Sequence, residues 1–117
     1  MGEIRIIRRD PEKGPEWVTI ENELEPLQKT VGGYIECVTL EEKDGVSAVL
    51  LCDEEGKLTG KKFNCFLLSK DGWPRDIIVG TLLIVGSKDG EFTDLPEDLW
   101  DMVKDRMTAP GEKVILQ

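Results

Sequence analysis

The sequence predicts an α+β domain in which a mostly antiparallel sheet of about five to six strands is covered by two short helices. Three observations lead there. The 117 residues are enough for one core and too few for two. Short runs rich in β-branched and aromatic residues are separated by glycine, proline and acidic turns. Only two stretches carry helix punctuation, one beginning near Asn22 and one near Pro96.

The segment Glu3 to Arg8 is apolar at Ile4, Ile6 and Ile7 and runs into "RRDPEKGPE", a connection with two prolines and a glycine. "WVTI", Trp17 to Ile20, reads as the strand returning beside it. Next, "ENELEPLQKTVGG" reads as a helix of about two turns. Asn22 is placed to cap it, Glu25 stands three residues later as in a capping box, and Leu24, Leu27 and Val31 share a face. Pro26 then falls in the fourth helical position and forfeits about one intrahelical bond.

Gly32-Gly33 raises the question of a phosphate loop. Such loops place glycines after a strand and before a helix, where free N–H groups and the positive dipole end meet the anion. Here the order is reversed. The pair follows the helix and precedes "YIECVTL", where a left-handed C-cap wants a residue without Cβ.

From Tyr34 to Cys52 the chain reads as a hairpin, "YIECVTL" and "VSAVLLC" around the polar turn "EEKDG". The second arm is nearly all apolar, which places it mid-sheet with both faces covered. "DEEGKL" is a further turn. "DIIVGTLLIVG", Asp76 to Gly86, is the most apolar strand, with Gly80 marking a bulge or a close backbone approach. "SKDGEF" then makes a turn and a short edge strand or loop. In "DLPEDLWDMVKDRM" Pro96 suits a first helical turn, with Asp94 or Leu95 as cap. Leu95, Leu99, Val103 and Met107, with Met102 beside them, form the apolar stripe. Glu97, Asp98, Asp101 and Asp105 form an acidic opposite face, read most simply as solvated. One domain therefore spans 1–117, its core about 3–107, with 108–117 a tail or a small strand.

This order of motifs resembles the domain of unknown function DUF3846. The resemblance runs from about Ile4 to Met107 and is carried by "LQKTVGGYIECVTL", "LLCDEEGKLTG", Asn64 and "DIIVGTLLIVG". It implies signature positions at Gly56, Lys57, Leu58 and Asn64 and a setting among phages, plasmids and conjugative elements. It implies no catalytic residue.

Composition excludes several classes of activity. The longest apolar run, Ile77 to Gly86, is about half of what a helix needs to cross a bilayer, so no membrane span is expected. The N-terminus has charge within its first apolar stretch, no small-residue cleavage site, and Ile6 where a myristoylation motif wants Ser or Thr. Cytoplasmic location follows. Cys37, Cys52 and Cys65 are odd in number and set in apolar sequence, which reads as three buried, reduced thiols. A net charge of −9 repels nucleic acid and anionic membranes. Within that average, residues 57–75 carry Lys57, Lys61, Lys62, Lys70 and Arg75 against Asp71 alone, a local +4 that leaves −13 for the rest.

The chain has no histidine, which removes imidazole acid–base catalysis and the Ser-His and Cys-His nucleophiles. Three cysteines so far apart do not make a zinc site, and acidic pairs such as Glu41-Glu42 or Glu54-Glu55 belong to solvated turns. No catalytic residue, metal or cofactor is expected. The reading is a non-enzymatic binding module. Its ligand is an anionic small molecule such as a nucleotide, held by Lys61, Lys62, Asn64 and Arg75, with Trp73, Phe63 and Phe66 as stacking faces. In the structural version of the same residues, the phenylalanines anchor the core, the lysines keep an edge soluble and Asn64 holds a turn. The alternative is an acidic inhibitor from a mobile element that engages a host DNA-binding or defence protein through Glu97, Asp98, Asp101 and Asp105. Either form is a monomer or a homodimer, Trp100 providing a dimer contact if it is exposed.

Overall fold

The apolar alternation at the start folds back on itself. Strands β1 (Glu3–Arg9) and β2 (Glu16–Glu21) pair antiparallel, Ile4 opposite Ile20 and Ile6 opposite Val18. The computed structural model describes residues 2–111, so the end of the tail lies outside the described residues.

Helix α1 (Leu24–Val31) follows, with Glu23 rather than Asn22 at its N-cap and no side-chain cap bond. Asn22 instead closes the sheet side: its Nδ2 donates to the Phe92 carbonyl at 2.9 Å. Pro26 is thus the third helical residue, where the missing N–H would have had no intrahelical partner.

Strands β3 (Ile35–Lys43) and β4 (Val46–Asp53) form the expected hairpin, but its turn is only Asp44-Gly45. Both residues have positive φ, 55° and 81°, as a type I′ turn requires. Glu41 and Glu42 therefore belong to the strand. The register shifts between Thr39 and Glu41, leaving Leu40 as a bulge.

The apolar stretch read as one strand is two. β6 (Pro74–Val79) pairs with β5 (Phe63–Leu68), whereas β7 (Leu82–Lys88) lies at the centre of the large sheet. Gly80 breaks the run: its N–H donates to the Lys62 carbonyl and its carbonyl accepts from Asn64. Strand β8 (Glu91–Thr93) is the short edge piece after "SKDG". The large sheet has the order β2-β1-β7-β4-β3 with β8 on β7, and the small one the order β6-β5-β9, where β9 is Met107–Thr108. All pairs are antiparallel.

Period-two alternation sorts the core into two layers. Val49, Leu51, Leu83 and Val85 pack against Leu27 and Val31 of α1. Ala48, Leu50, Leu82 and Ile84 point the other way, against Cys65, Leu67 and Ile78 of the small sheet. β4 is covered on both faces, which accounts for its apolar sequence.

Helix α2 (Glu97–Val103) shares that second layer, with Pro96 at its N-cap rather than inside the helix, and a 3-10 turn, Lys104–Arg106, ends it. Met107 has left the helix for β9. Trp100 is buried at 9% exposure together with Leu99 and Val103, so it is a core residue and not a dimer contact. Arg106 joins the sheets, donating from Nη1 to the carbonyl of bulged Leu40 and from Nε to that of Leu68. No described helix is long and apolar enough to cross a membrane.

Candidate functional site

The cations of residues 57–75 do not form a cluster. Lys57 pairs with Asp76 at 2.7 Å, Lys61 with Asp53 at 2.7 Å, Lys62 with Glu12 at 3.1 Å and Lys70 with Glu41 at 2.8 Å. All four carboxylates lie outside the basic stretch, and two of them, Glu12 and Glu41, are far from it in sequence. Arg75 alone makes no ion pair among the described residues.

Asn64 is not presented to a ligand either. It is buried at 2% exposure, and its Nδ2 donates to the carbonyls of Arg9 and Gly80 while its Oδ1 accepts from Arg9 Nε. A buried amide so engaged ties β1 and β5 to the Gly80 break.

Lys61 answers the question posed by Gly32-Gly33. The ammonium donates to the Val31 carbonyl at 2.8 Å, the Gly32 carbonyl at 3.0 Å and Asp53 Oδ2, which uses all three of its protons. A cation at the C-terminal end of α1 meets the negative end of the helix dipole. Gly32 takes the left-handed C-cap conformation, φ 84°. Gly33 is required by closeness instead: a Cβ there would sit 2.7 Å from Asp53 Cγ. The pair of glycines makes room for an internal ion pair and forms no anion site. Asp53 also accepts the Glu55 N–H, opening the "DEEGKL" turn. The Lys61 hydrogen bond, aided by that N–H and by the lysine's charge, holds the Asp53 carboxyl below its ordinary range against the opposing effect of burial.

Beside this pair lies an open cleft of ≈ 740 Å³, lined by Glu25, Gln28, Lys29, Tyr34, Glu55 and Thr59 among others. A second cleft, ≈ 560 Å³, lies on the outer face of the small sheet among Lys57, Phe66, Pro74, Arg75, Asp76 and Ile77. Phe66 stands opposite Ile77 in the ladder and edge-on to Phe63, with ring centroids 5.1 Å apart. Ile77 is 44% exposed and Trp73, at the entrance to β6, 72%. Asp76 Oδ1 receives both Lys57 and the N–H of Ile77, each at 2.7 Å. Of the five residues expected to hold a ligand, only Arg75 lines this cleft, while Trp73 immediately precedes its strand.

The acidic helix is also partly neutralised. Glu97 pairs with Arg5, Asp98 with Lys43 at 2.6 Å and Asp101 with Lys104 at 3.4 Å. The Lys43 hydrogen bond lowers the Asp98 pKa, and the same bond raises that of Lys43. Asp105 lies on the 3-10 turn and not on the helix. Of the thiols, Cys52 and Cys65 are buried as expected, but Cys37, on the edge strand β3, is exposed. Among the described residues no three acidic or thiol groups converge to hold a metal ion.

A family model described as a domain of unknown function (DUF3846) matches residues 4–108. No curated protein and no solved structure matches the chain.

Proposed function

We propose that this chain, which belongs to the DUF3846 family, is a non-catalytic binding module whose ligand lies on the outer face of the small sheet. The ligand class is an anionic small molecule with a planar body, such as a nucleotide. One observation carries the reading. A solvent-facing sheet surface ordinarily alternates to polar residues, yet here Phe66 and Ile77 line an outward cleft with Arg75, and the exposed Trp73 stands at the entrance to the same strand. Among the described residues, Arg75 is the one cation of the basic stretch that makes no ion pair. Phe66 and Trp73 offer faces for stacking, and the Arg75 guanidinium offers a fork of donors to a phosphate or carboxylate. Lys61, Lys62 and Asn64 drop out of the ligand shell, since each is engaged within the chain.

A thermal-shift screen against nucleotides, cyclic dinucleotides and nucleotide sugars, with short duplex DNA as control, tests this. Stabilisation by one anionic class, abolished by Arg75→Ala and by Trp73→Ala but kept by Lys62→Ala, is expected. No stabilisation by any small molecule, or stabilisation that survives Arg75→Ala, sinks the reading.

A further inference from the structure

We infer that the outer side of α1 is a docking surface for a basic protein segment carrying apolar anchors. Two open clefts, of ≈ 740 and ≈ 650 Å³, lie along it and share Glu25 and Lys29, so they make one continuous groove. Leu24 lines one end at 62% exposure and Tyr34 the other at 68%. Both stand outside the two core clusters, and neither is needed to hold the helix down, a task met by Leu27 and Val31. Isolated exposed apolar residues are ordinary. Two large ones at opposite ends of a groove make a pair of anchor points.

The charge of the groove selects the occupant. Glu21, Glu23, Glu25 and Glu55 line it against Lys29, while Asp53 and Lys61 cancel each other at its floor. Glu21, Glu25 and Glu55 make no ion pair among the described residues. The whole chain, at −9, adds a field of the same sign, so it attracts a cationic partner and repels a second copy of itself or a nucleic acid. A small free cation would leave Leu24 and Tyr34 unused. A basic segment places its apolar side chains on those two residues and its cations beside the glutamates, on either side of Lys29. This surface is separate from the small-sheet face, and the inference does not rest on that reading.

The test is a fluorescence-anisotropy titration of the intact chain with a labelled 16-residue Lys/Arg peptide bearing Leu and Trp anchors. An oligolysine of equal charge and an acidic version of the same peptide serve as comparisons. Tighter binding of the anchored peptide than of oligolysine is expected. Glu21→Gln/Glu25→Gln/Glu55→Gln, and separately Leu24→Ala/Tyr34→Ala, should each weaken it about tenfold or more, whereas Asp101→Asn/Asp105→Asn should leave it nearly unchanged. Amide chemical-shift changes should fall on α1 and Tyr34. Equal binding of oligolysine, equal loss in all three variants, shifts elsewhere, or no binding would each overturn the inference. All the substituted side chains are solvent-facing, and a thermal melt of each variant checks that it folds.

Discussion

Lys61 and Asp53 meet at 2.7 Å beneath the end of α1, and the same ammonium holds the last two carbonyls of that helix turn. One side chain thereby fixes a helix terminus, the mouth of the "DEEGKL" turn and, through its stem, the Gly80 break, where a Cβ would lie 2.9 Å from Lys61 Cδ. The Asp53 side chain is only 5% exposed, so removing its partner leaves a nearly buried carboxylate uncompensated. Lys61→Met should cost about 2 kcal/mol in urea unfolding, and Asp53→Asn in the same background should recover part of the loss. A cost indistinguishable from that of Lys62→Met would show that the pair is ornamental to the fold.

The same pair gives stability a pH dependence. The folded Asp53 carboxyl lies below its unfolded value, so the stability it contributes is present above about pH 4 and is lost as pH falls through the folded pKa. Chemical-denaturation midpoints measured from pH 6 down to pH 2 should therefore drop, and the drop should be shallower in Lys61→Met. Identical slopes in the two proteins would assign the acid sensitivity to other carboxylates.

Gly33→Ala should destabilise the chain by about 1–3 kcal/mol, because the new methyl meets the Asp53 carboxylate, which Lys61 prevents from moving aside. Gly14→Ala, with nothing within 4 Å of its Cβ, should stay within about 0.5 kcal/mol of the parent. Comparable thermal midpoints for the two variants would contradict the close-approach explanation.

Cysteine labelling should separate one thiol from two. Cys37 is exposed, although burial by its surroundings and then Glu36 raise its pKa, so an aromatic disulfide reagent should react with it slowly in the native protein. Cys52, pushed up to about 12 chiefly by burial, and the buried Cys65 should react only on unfolding. Native labelling of two thiols, counted by intact mass, would contradict this placement.

Local chemistry made much of the fold legible. The polar stretch "EEKDG" marked the β3–β4 turn, which its last two residues make, the unbroken apolar run marked β4 as covered on both sides, and Leu27 and Val31 marked the buried face of α1. What the sequence concealed was partnership at a distance. Periodicity shows that Ile77 to Gly86 is extended but not that Gly80 sends its two halves to different sheets. Charge counting along residues 57–75 cannot see that Lys62 meets Glu12 or that Lys70 meets Glu41. Asn64 looked like a loop residue because nothing nearby in sequence shows that Arg9 and Gly80 hold it in the interior. The α1 groove was hidden for a related reason: Leu24 matched the apolar helix pattern, and only the docked helix shows that it points to solvent.

Strand β6 lies at the margin of the small sheet with an apolar face turned to water, a combination that invites a stray chain to add itself as the next strand. Two local features oppose that. Pro74 has no N–H to offer, and the N–H of Ile77 is already held by Asp76, itself steadied by Lys57. Strand β6 thus keeps an apolar face open to water while offering few backbone donors to a stray strand, so anything that meets this face would do so through side chains rather than through backbone.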